Sequence, residues 1–397
     1  MYDVIIVGAG PGGASAAYFL GEAGQRVLVL EKATLPRYKT CGGGLSTRML
    51  EKYFSFSFDP VIESHMNSMS YALGDEHITV PLPHRSLCMV MRDRFDAHIL
   101  AHAQVDVRQG VAVRSVMQQD DRVIVETADG DTFEGCYLIG ADGANSIVAR
   151  SLGLRRGKTL VAAIEAEVAV PPEVQARFAD TPLFIFGEVH LGYLWIFPKA
   201  DHLSVGIAAL HPQPGELQVT LRRVMARYDV SLEGVALHGH PIPVYTHREK
   251  ITTTRTLLVG DAAGLADPLS GEGIRMAIKS GRLAAETIRA GHPERYAGKV
   301  FWQIGLCHIM NMALAEIFYR RPQACFELGV RNPFASRALI DLLSDRISSS
   351  GVMLRLFGTL PVYLATEAIA ALIGPLGGKQ SQQRFRSRIY SMTAPRS

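Results

Sequence analysis

The 397-residue chain is long enough for two or three domains and a substantial hydrophobic core. Its 41 basic and 38 acidic residues leave a net charge of +3, which is too balanced to indicate a nucleic-acid-binding protein. The five cysteines are odd in number and lack C-x-x-C spacing, which argues against a disulfide framework or a zinc site and for a reducing compartment.

The N-terminus follows a strand, turn, helix, strand pattern. Residues 4–7 are continuously apolar, as expected for a strand buried on both faces of a parallel sheet. Residues 8–13 form a G-x-G-x-x-G turn in which Gly8 permits the tight bend and Gly10 lets the backbone approach a pyrophosphate. Gly13 allows the following helix to pack closely on the strand. This pattern predicts a dinucleotide-binding unit.

The second strand of this unit, residues 27–30, ends at Glu31, whose carboxylate is placed to accept hydrogen bonds from an adenosine ribose. This acid favours an unphosphorylated ribose, hence FAD or NAD rather than NADP. Pro11 in the turn and Lys32 after the acid belong to the same predicted cofactor site. The motif begins at residue 4 and leaves no room for a signal peptide, so we expect a cytoplasmic protein.

Three consecutive glycines follow Cys41, at residues 42–44. One interpretation is a flexible surface turn beside a buried cysteine. The other is backbone that runs against something flat or crowded, where only glycine fits. The residues alone favour neither.

The next part of the chain alternates between strands and one helix. Residues 52–88 carry prolines and predict excursion strands, and residues 91–100 predict an amphipathic helix. Strands joined by hairpin-like turns follow, and the buried strand at residues 137–139 runs directly into the loop at residues 140–146.

Residues 160–252 are dominated by strand-like segments, interrupted by one predicted helix at residues 217–228, which indicates an inserted antiparallel sheet. The α/β pattern then returns with a buried strand at residues 256–259, a glycine turn at residues 260–264 and a helix at residues 272–290.

From residue 296 onward the pattern is helical. Residues 351–378 are notably apolar, but no eighteen uninterrupted apolar residues occur, so no membrane-spanning helix is predicted. One interpretation is a helical lid on a cavity with a disordered tail. The other is monotopic attachment to an anionic bilayer. The tail carries five basic residues and no acidic one: Lys379, Arg384, Arg386, Arg388 and Arg396.

These patterns predict an α/β fold with a Rossmann-type FAD-binding domain, an inserted antiparallel β-sheet substrate domain and a C-terminal helical region. The predicted FAD-binding domain is discontinuous and comprises residues 1–52, 88–159 and 253–295. The substrate domain comprises residues 53–87 and 160–252, and the C-terminal helical region residues 296–397.

Three dispersed motifs, the N-terminal turn, Asp142-Gly143 and Gly260-Asp261, occur in the order and spacing of the flavoprotein hydroxylase superfamily, which they resemble. Either dipeptide alone is more often an ordinary turn. Asp261 is placed to accept hydrogen bonds from a ribityl chain, and the helix opening near Gly271 and Gly273 points its positive end at the flavin. The resemblance implies that Arg92 also contacts FAD.

The segments at residues 41–44, 193–198 and 258–273 resemble the geranylgeranyl reductase family. The resemblance covers about residues 1–290 and implies that reduced FAD saturates isoprenoid double bonds in lipids, chlorophyll side chains or quinone tails. It places Tyr193 and Trp195 in the wall of the substrate cavity, although an aromatic stripe on a strand is more often plain core. It also places Cys41 near the flavin, where we expect it to act as a proton donor or gate, with Tyr193 as its rival.

Several alternatives stay open at this stage. A flavin-dependent monooxygenase or halogenase has the same frame, and a lipid-binding protein with a vestigial flavin site is a non-enzymatic alternative. No second dinucleotide motif is present, so NAD(P)H visiting transiently or a ferredoxin must supply the electrons. The expected partners are a prenyl lipid and a membrane surface at the inner face, with no nucleic acid; the sequence leaves the oligomeric state open.

Overall fold

The structure, a computed structural model, describes residues 1–344, 346–347 and 349–393. Its strands are, in chain order, β1 (Tyr2–Val7), β2 (Val27–Glu31), β3 (Gly44–Ser46), β4 (Ile62–Met66), β5 (Ser68–Leu73), β6 (Glu76–Pro81), β7 (Leu87–Val90), β8 (Asp106–Gln109), β9 (Val113–Gln118), β10 (Val123–Thr127), β11 (Thr132–Gly140), β12 (Thr159–Val168), β13 (Leu183–Phe186), β14 (Gly192–Pro198), β15 (Leu203–Leu210), β16 (His238–Val244) and β17 (Thr256–Leu258).

The helices are α1 (Pro11–Gly21), α2 (Thr47–Tyr53), α3 (Arg92–Ala101), α4 (Ile147–Ser151), α5 (Pro172–Phe178), α6 (Glu216–Ala226), α7 (Ile274–Arg289), α8 (Tyr296–Val300), α9 (Leu306–Arg320), α10 (Pro322–Cys325), α11 (Pro333–Leu343) and α12 (Ser349–Thr393). A π-helical segment, Phe301–Gly305, joins α8 to α9, so the two form one continuous rod. A second π-helical segment, Phe326–Val330, follows α10.

The first sheet has the strand order β8-β2-β1-β11-β10-β9, with β17 also paired to β11. β1 is parallel to both β2 and β11, and β17 is parallel to β11, so the carboxyl ends of these strands meet at one edge. The residues of β1 at positions 4–6 are fully buried, in agreement with their continuous apolar run. Helices α1 and α7 pack against each other on this sheet.

The second sheet has the strand order β16-β12-β15-β14-β13-β5-β6. β5 and β6 come from the excursion at residues 68–81, and β5 is parallel to β13, whereas the other pairs in this sheet are antiparallel. Alternation along β14 divides its side chains between two faces. Leu194 and Ile196 enter the core beneath α6, while Tyr193, Trp195 and Phe197 lie on the opposite face.

A third, three-stranded sheet, β3-β7-β4, carries the backbone that follows Cys41. The C-terminal helices pack on the open face of the second sheet. Phe326, Val330 and Phe318 join Met66, Met69 and Phe186 in one apolar cluster there. The C-terminal region therefore covers the aromatic face of β14 and its neighbours.

The predicted fold class, mixed α/β with a Rossmann-type unit, an antiparallel sheet and C-terminal helices, is confirmed. Two details of the prediction are wrong. The second sheet is accompanied by two helices rather than one, since α5 begins at the Pro-Pro-Glu sequence, a helix-start signal. The tail is helical as far as Thr393 rather than disordered, and Arg396 lies outside the described residues.

Two described helices are long and apolar enough to cross a membrane by length and composition, Pro293–Arg320 and Gly351–Leu372. The sequence analysis required an uninterrupted apolar run, whereas mean hydropathy tolerates isolated charges, so these two helices were not noticed there. Core helices of water-soluble proteins meet the same two criteria, so this finding alone does not indicate a membrane span.

Candidate functional site

One cavity of about 910 Å³ extends from the glycine turn of the first sheet to the aromatic face of the second. Seventeen site residues were predicted from the sequence, and all but Gly13 line this cavity: Gly8, Gly10, Pro11, Glu31, Lys32, Cys41, Gly42, Arg92, Asp142, Gly143, Tyr193, Trp195, Gly260, Asp261, Gly271 and Gly273. Residues that are far apart in the chain therefore converge on a single volume.

The glycine turn is tightly packed against its neighbours. Gly8 has a φ of +99°, and a Cβ there would lie 2.4 Å from the carbonyl oxygen of Ala141. A Cβ on Gly13 would lie 1.9 Å from the Gly8 carbonyl oxygen, which no adjustment of a side chain could relieve. Gly13 thus allows α1 to pack closely on the turn and does not itself line the cavity. This packing places the N-terminus of α1, at Gly10, against the cavity.

Glu31 is fixed at the end of β2 by backbone donors. Its Oε2 accepts from the Ala9 N–H at 2.7 Å and its Oε1 from the Ala33 N–H at 3.1 Å. Arg37 lies 3.6 Å from the same carboxylate. Each carboxylate oxygen retains a further lone pair, so the predicted contact with a ribose remains available.

Two arginines face the glycine turn. Arg92 forms a bidentate pair with buried Asp96 at 2.9 and 2.8 Å, and Arg37 Nη2 lies 3.2 Å from the same carboxylate. A Cβ on Gly10 would lie 3.8 Å from Arg37 and 3.9 Å from Arg92. The buried Nη1 of Arg37 has no hydrogen-bond partner among the described residues. Two guanidinium groups, an unpaired donor and a helix N-terminus fit a pyrophosphate.

Asp142 has a structural role in addition to the one predicted. Its Oδ2 accepts from the Ile147 and Val148 N–H groups at 2.6 and 3.1 Å, which caps α4. Its buried Oδ1 has no partner within the described part of the chain, and burial raises the pKa of this carboxyl. The Asp142-Gly143 turn therefore presents one unpaired oxygen beside the cavity.

Asp261 and the start of α7 form the wall opposite the glycine turn. The Asp261 carbonyl accepts from Arg155 at 2.9 Å, whereas its carboxylate is about one third exposed and lies 4.0 Å from His240. α7 begins at Ile274 with Gly273 as its N-cap, two residues after the predicted start at residue 272. The positive end of α7 and the Asp261 carboxylate thus lie at the same cavity wall.

The loop before α7 is held from two sides. The Tyr193 hydroxyl donates to the Ser270 carbonyl at 2.5 Å, and the Tyr319 hydroxyl of α9 donates to the Leu269 carbonyl at 2.7 Å. Asp267 is buried, and its carboxylate accepts from Asn311 and lies 3.2 Å from His308 Nδ1. Burial alone would raise the pKa of Asp267, but His308, Ser270 and Asn311 outweigh it and hold the pKa below its usual value.

The three glycines after Cys41 run against crowded surroundings, which decides between the two interpretations of that segment. A Cβ on Gly42 would lie 2.9 Å from the Phe197 ring, and one on Gly43 would lie 2.0 Å from the Val90 carbonyl oxygen. Buried Glu165 accepts from the Cys41 N–H at 2.6 Å, and buried Lys199 donates to the Gly42 carbonyl at 2.6 Å. The second sheet thereby fixes the Cys41 segment.

Aromatic and aliphatic side chains form the far end of the cavity. Trp195 is 6% exposed and its ring covers Gly206, where a Cβ would lie 2.1 Å from the indole. Its Nε1 has no hydrogen-bond partner among the described residues. Further apolar lining comes from the second and third sheets and from α11: Met69, Leu87, Met89, Phe184, Phe197, Ile242 and Leu343.

Five residues near the cavity were missed by the sequence analysis: Arg37, Lys39, Glu165, Lys199 and His240. Glu165 gave a signal, because it is one of two acidic residues, with Glu167, in the mostly apolar strand β12. Lys39 precedes Cys41 by two residues, and its Nζ lies 2.6 Å from His240 Nε2 on β16, far along the chain. No local pattern connects these two residues, so only the fold brings them together.

The fold and the cavity define an FAD-dependent oxidoreductase. The FAD binding domain family matches residues 1–290, so the chain belongs to this family. An uncharacterised protein of Methanosarcina barkeri is 32% identical over 85% of this chain and 91% of its own length. The menaquinone reductase of Mycobacterium tuberculosis (strain CDC 1551 / Oshkosh) is 31% identical over 72% of this chain and 76% of its own length.

Two further relatives bear on the same resemblance. The chloroplastic geranylgeranyl diphosphate reductase of Oryza sativa is 30% identical over 72% of this chain and 66% of its own length. The solved structure of a geranylgeranyl bacteriochlorophyll reductase-like protein from Thermoplasma acidophilum aligns with a TM-score of 0.73 at 24% identity, covering 92% of this chain and 98% of that one. The resemblance to geranylgeranyl reductases is confirmed.

Proposed function

We propose that this enzyme uses reduced FAD to saturate carbon–carbon double bonds of an isoprenoid chain. The observation that carries the proposal is the continuity of one cavity from the glycine turn to the apolar wall around Trp195, Phe184 and Met69. A polar half suits a dinucleotide, and an aromatic and aliphatic half suits a polyene. Relatives named for geranylgeranyl diphosphate and for menaquinone support the substrate class.

The chain supplies binding, orientation and exclusion of water. Bound FAD would supply the hydride of the reduction. Arg37, Arg92 and the N-terminus of α1 would hold its pyrophosphate, and Asp261 its ribityl chain. The N-terminus of α7 would favour negative charge on the reduced ring. Leu343 lines the apolar end and packs against the cluster that contains Phe326 and Val330, which would limit the access of water there.

An isolated alkene also requires a proton, and Cys41 and Tyr193 are the two predicted donors. Burial raises the pKa of the Tyr193 phenol, and its hydroxyl already donates to the Ser270 carbonyl. Both facts disfavour Tyr193 as an acid and favour a role in shaping the wall. We assign the donor role to Cys41, whose backbone is held on both sides. Cys41→Ser should retain FAD but slow reduction about 100-fold; undiminished reduction would exclude the thiol.

The electron donor belongs to the same proposal. The described chain offers one glycine-rich dinucleotide turn, and FAD would occupy it, so NAD(P)H must approach transiently or a ferredoxin must dock. Stopped-flow mixing of the oxidised holoenzyme with NADPH, NADH or reduced ferredoxin separates these donors. The physiological donor should bleach the flavin absorbance at least as fast as the enzyme turns over.

We further propose that the C-terminal helices rest on a lipid surface. Exposed apolar side chains form an apolar face on the rod and on α12, with Trp302 at 69%, Phe357 at 71% and Leu372 at 71% exposure. The other members of this apolar face are Leu306, Ile309, Ile317, Leu354 and Leu364. No described residue of α12 from position 354 to 372 is both charged and exposed. A face of this kind suits the interfacial region of a bilayer.

Attachment of the C-terminal helices along the bilayer surface fits the structure better than a helix that crosses the bilayer. α9 forms buried polar contacts with the Asp267 loop through His308 and Asn311, and a helix crossing the bilayer alone would have to break them. Flotation with anionic liposomes tests the attachment. The double variant Leu354→Asp/Phe357→Asp should remain with the dense fraction, whereas Val219→Asp, at an exposed apolar position on α6, should float like the wild type.

An anaerobic experiment tests the reductase function. The holoenzyme is reduced with dithionite, excess reductant is removed and a geranylgeranyl lipid or a prenylated quinone is added. Reoxidation of the flavin with a mass gain of two hydrogens per saturated bond is expected. Flavin that stays reduced with every prenyl substrate, and reoxidises on admission of oxygen with a hydroxylated product, would indicate a monooxygenase instead.

A further inference from the structure

The contact between Lys39 and His240 brings two nitrogen bases together on the cavity wall. Lys39 Nζ and His240 Nε2 lie 2.6 Å apart, and both side chains line the cavity. At this distance one hydrogen must lie between the two nitrogens, since two protonated groups would repel each other. Either nitrogen can carry that hydrogen: a lysine ammonium can donate to His240 Nε2, or a ring N–H can donate to a neutral lysine amine.

Charges from several elements surround this pair. Burial is the largest influence on Lys39 and lowers its pKa to about 8, and Arg92 on α3 and Arg37 act in the same direction. Asp261 and Cys41 oppose them. The Asp261 carboxylate also lies 4.0 Å from His240 Nε2. Lys39 can therefore both hold and release a proton near neutral pH.

We propose that Lys39 and His240 form a proton-sharing pair that resupplies the proton given up by Cys41. The inference rests on the proposed function and extends it to the source of the proton. Lys39 is two residues from Cys41, and both line the cavity. Lys39 acts through Cys41, and His240 positions the lysine.

Bound FAD would supply the hydride for one C–H bond, and the electron pair of the alkene would form the second with the proton of the Cys41 thiol. The thiolate takes a proton from the Lys39 ammonium. The neutral amine, held by His240, recovers a proton from solvent. Each turnover therefore consumes one hydride and one solvent proton, with no further oxidant or reductant.

Amine labelling tests the pair without any substrate. The FAD-loaded protein is treated briefly with acetic anhydride across a range of pH, and the modification of Lys39 is quantified by mass spectrometry with exposed Lys250 as internal reference. The wild type should show a labelling midpoint for Lys39 near pH 8. His240→Leu should lower that midpoint, because the buried ammonium loses its acceptor. A midpoint that is the same in the wild type and in His240→Leu would overturn the pair.

Turnover tests the relay. In a single anaerobic turnover Cys41 is already protonated, so Lys39→Met should match the wild type. With excess dithionite and substrate, the wild-type rate should fall above about pH 8, where Lys39 loses its proton. Lys39→Met should be slowed about 100-fold and should lack this fall. Lys250→Met is the matched control, and the flavin spectrum confirms equal FAD content.

Failure of the relay and failure of the proposed function give different results. Equal losses in single and multiple turnovers, or no loss in either, would overturn the relay through Cys41. If the wild type reduces no prenyl substrate, the proposed function fails together with the relay. The labelling result still decides in that case whether the two nitrogens share a proton.

Discussion

Helices α1 and α9 both border the flavin-binding half of the molecule, but they are built in opposite ways. In α1 ten of eleven residues are buried, and they are mostly small or apolar. In α9 the buried positions include His308 and Asn311, while Leu306, Ile309 and Ile317 are exposed. Helix α1 therefore has the usual distribution, with apolar residues buried. Helix α9 has the reverse distribution, with polar residues buried and apolar residues exposed.

The difference follows from the surroundings that each helix contacts. α1 must approach β1 and α7 closely, so glycine and alanine at its contact positions are sufficient. α9 instead fixes the polar loop at Asp267 through buried hydrogen bonds and turns its apolar side chains outward. Buried polar groups are costly unless paired, so each inward contact of α9 must be retained.

The largest effect is expected where α1 approaches β1. Gly13→Val should abolish FAD binding, because even a Cβ would lie 1.9 Å from the Gly8 carbonyl oxygen. The ratio of flavin to protein absorbance measures the loss. Gly298→Ala is the control, since a Cβ there meets nothing within 4 Å. Normal FAD content in Gly13→Val would contradict the close packing of the turn.

The next largest effect, a loss of stability, is expected at the buried polar side chains of α9. Both ring nitrogens of His308 face acceptors, the Leu265 carbonyl at 3.0 Å and the Asp267 carboxylate at 3.2 Å. His308→Leu leaves the buried carboxylate without this partner and should lower the free energy of unfolding by about 3–5 kcal/mol. Urea titration measures the change.

The same helix provides a matched control for that variant. Arg320 pairs with Glu316 on the exposed surface of α9, so Arg320→Ala should change stability by less than about 1 kcal/mol. Similar losses from His308→Leu and Arg320→Ala would contradict the distinction between the two faces of α9.

A smaller, pH-dependent effect is expected at the Cys41 segment. Burial lowers the pKa of Lys199 to about 8, whereas the unfolded chain holds that proton up to about pH 10.4. The unfolded state therefore binds more protons between these values, and stability should rise with pH in this window, by at most about 3 kcal/mol. Lys199→Met should reduce this slope, with Lys39 contributing the remainder in the same direction.

Urea titrations at pH 8 and pH 9.5 measure this slope for each protein. Lys250→Met, which removes an exposed lysine, should leave it unchanged. An unaltered slope in Lys199→Met would show that the Lys199 ammonium keeps its ordinary pKa in the folded protein, as a hydrated lysine would.

The sequence predicted the fold and the glycine motifs because their signals are local. Gly8, Gly10 and Gly13 are constrained by the turn in which they lie, and the strand before them is continuously apolar. The outward face of α9 was not predicted, because its apolar periodicity does not show which side is covered.

The residues that the sequence analysis missed act across long distances in the chain. Glu165 and Lys199 reach the Cys41 segment from the second sheet, and His240 reaches Lys39 from β16. A lone lysine or histidine in a strand or loop is ordinarily a surface residue. Their roles depend on how the two sheets face each other across the cavity, which periodicity and motif spacing do not specify.

The central claim is that the flavin transfers hydrogen to a prenyl chain rather than oxygen. One measurement tests it directly: turnover with a geranylgeranyl substrate in deuterium oxide under an atmosphere of oxygen-18, followed by mass spectrometry of the product. The account predicts a saturated product that carries deuterium at the former alkene carbons and no oxygen-18. A product that carries oxygen-18 and retains its double bonds would contradict it.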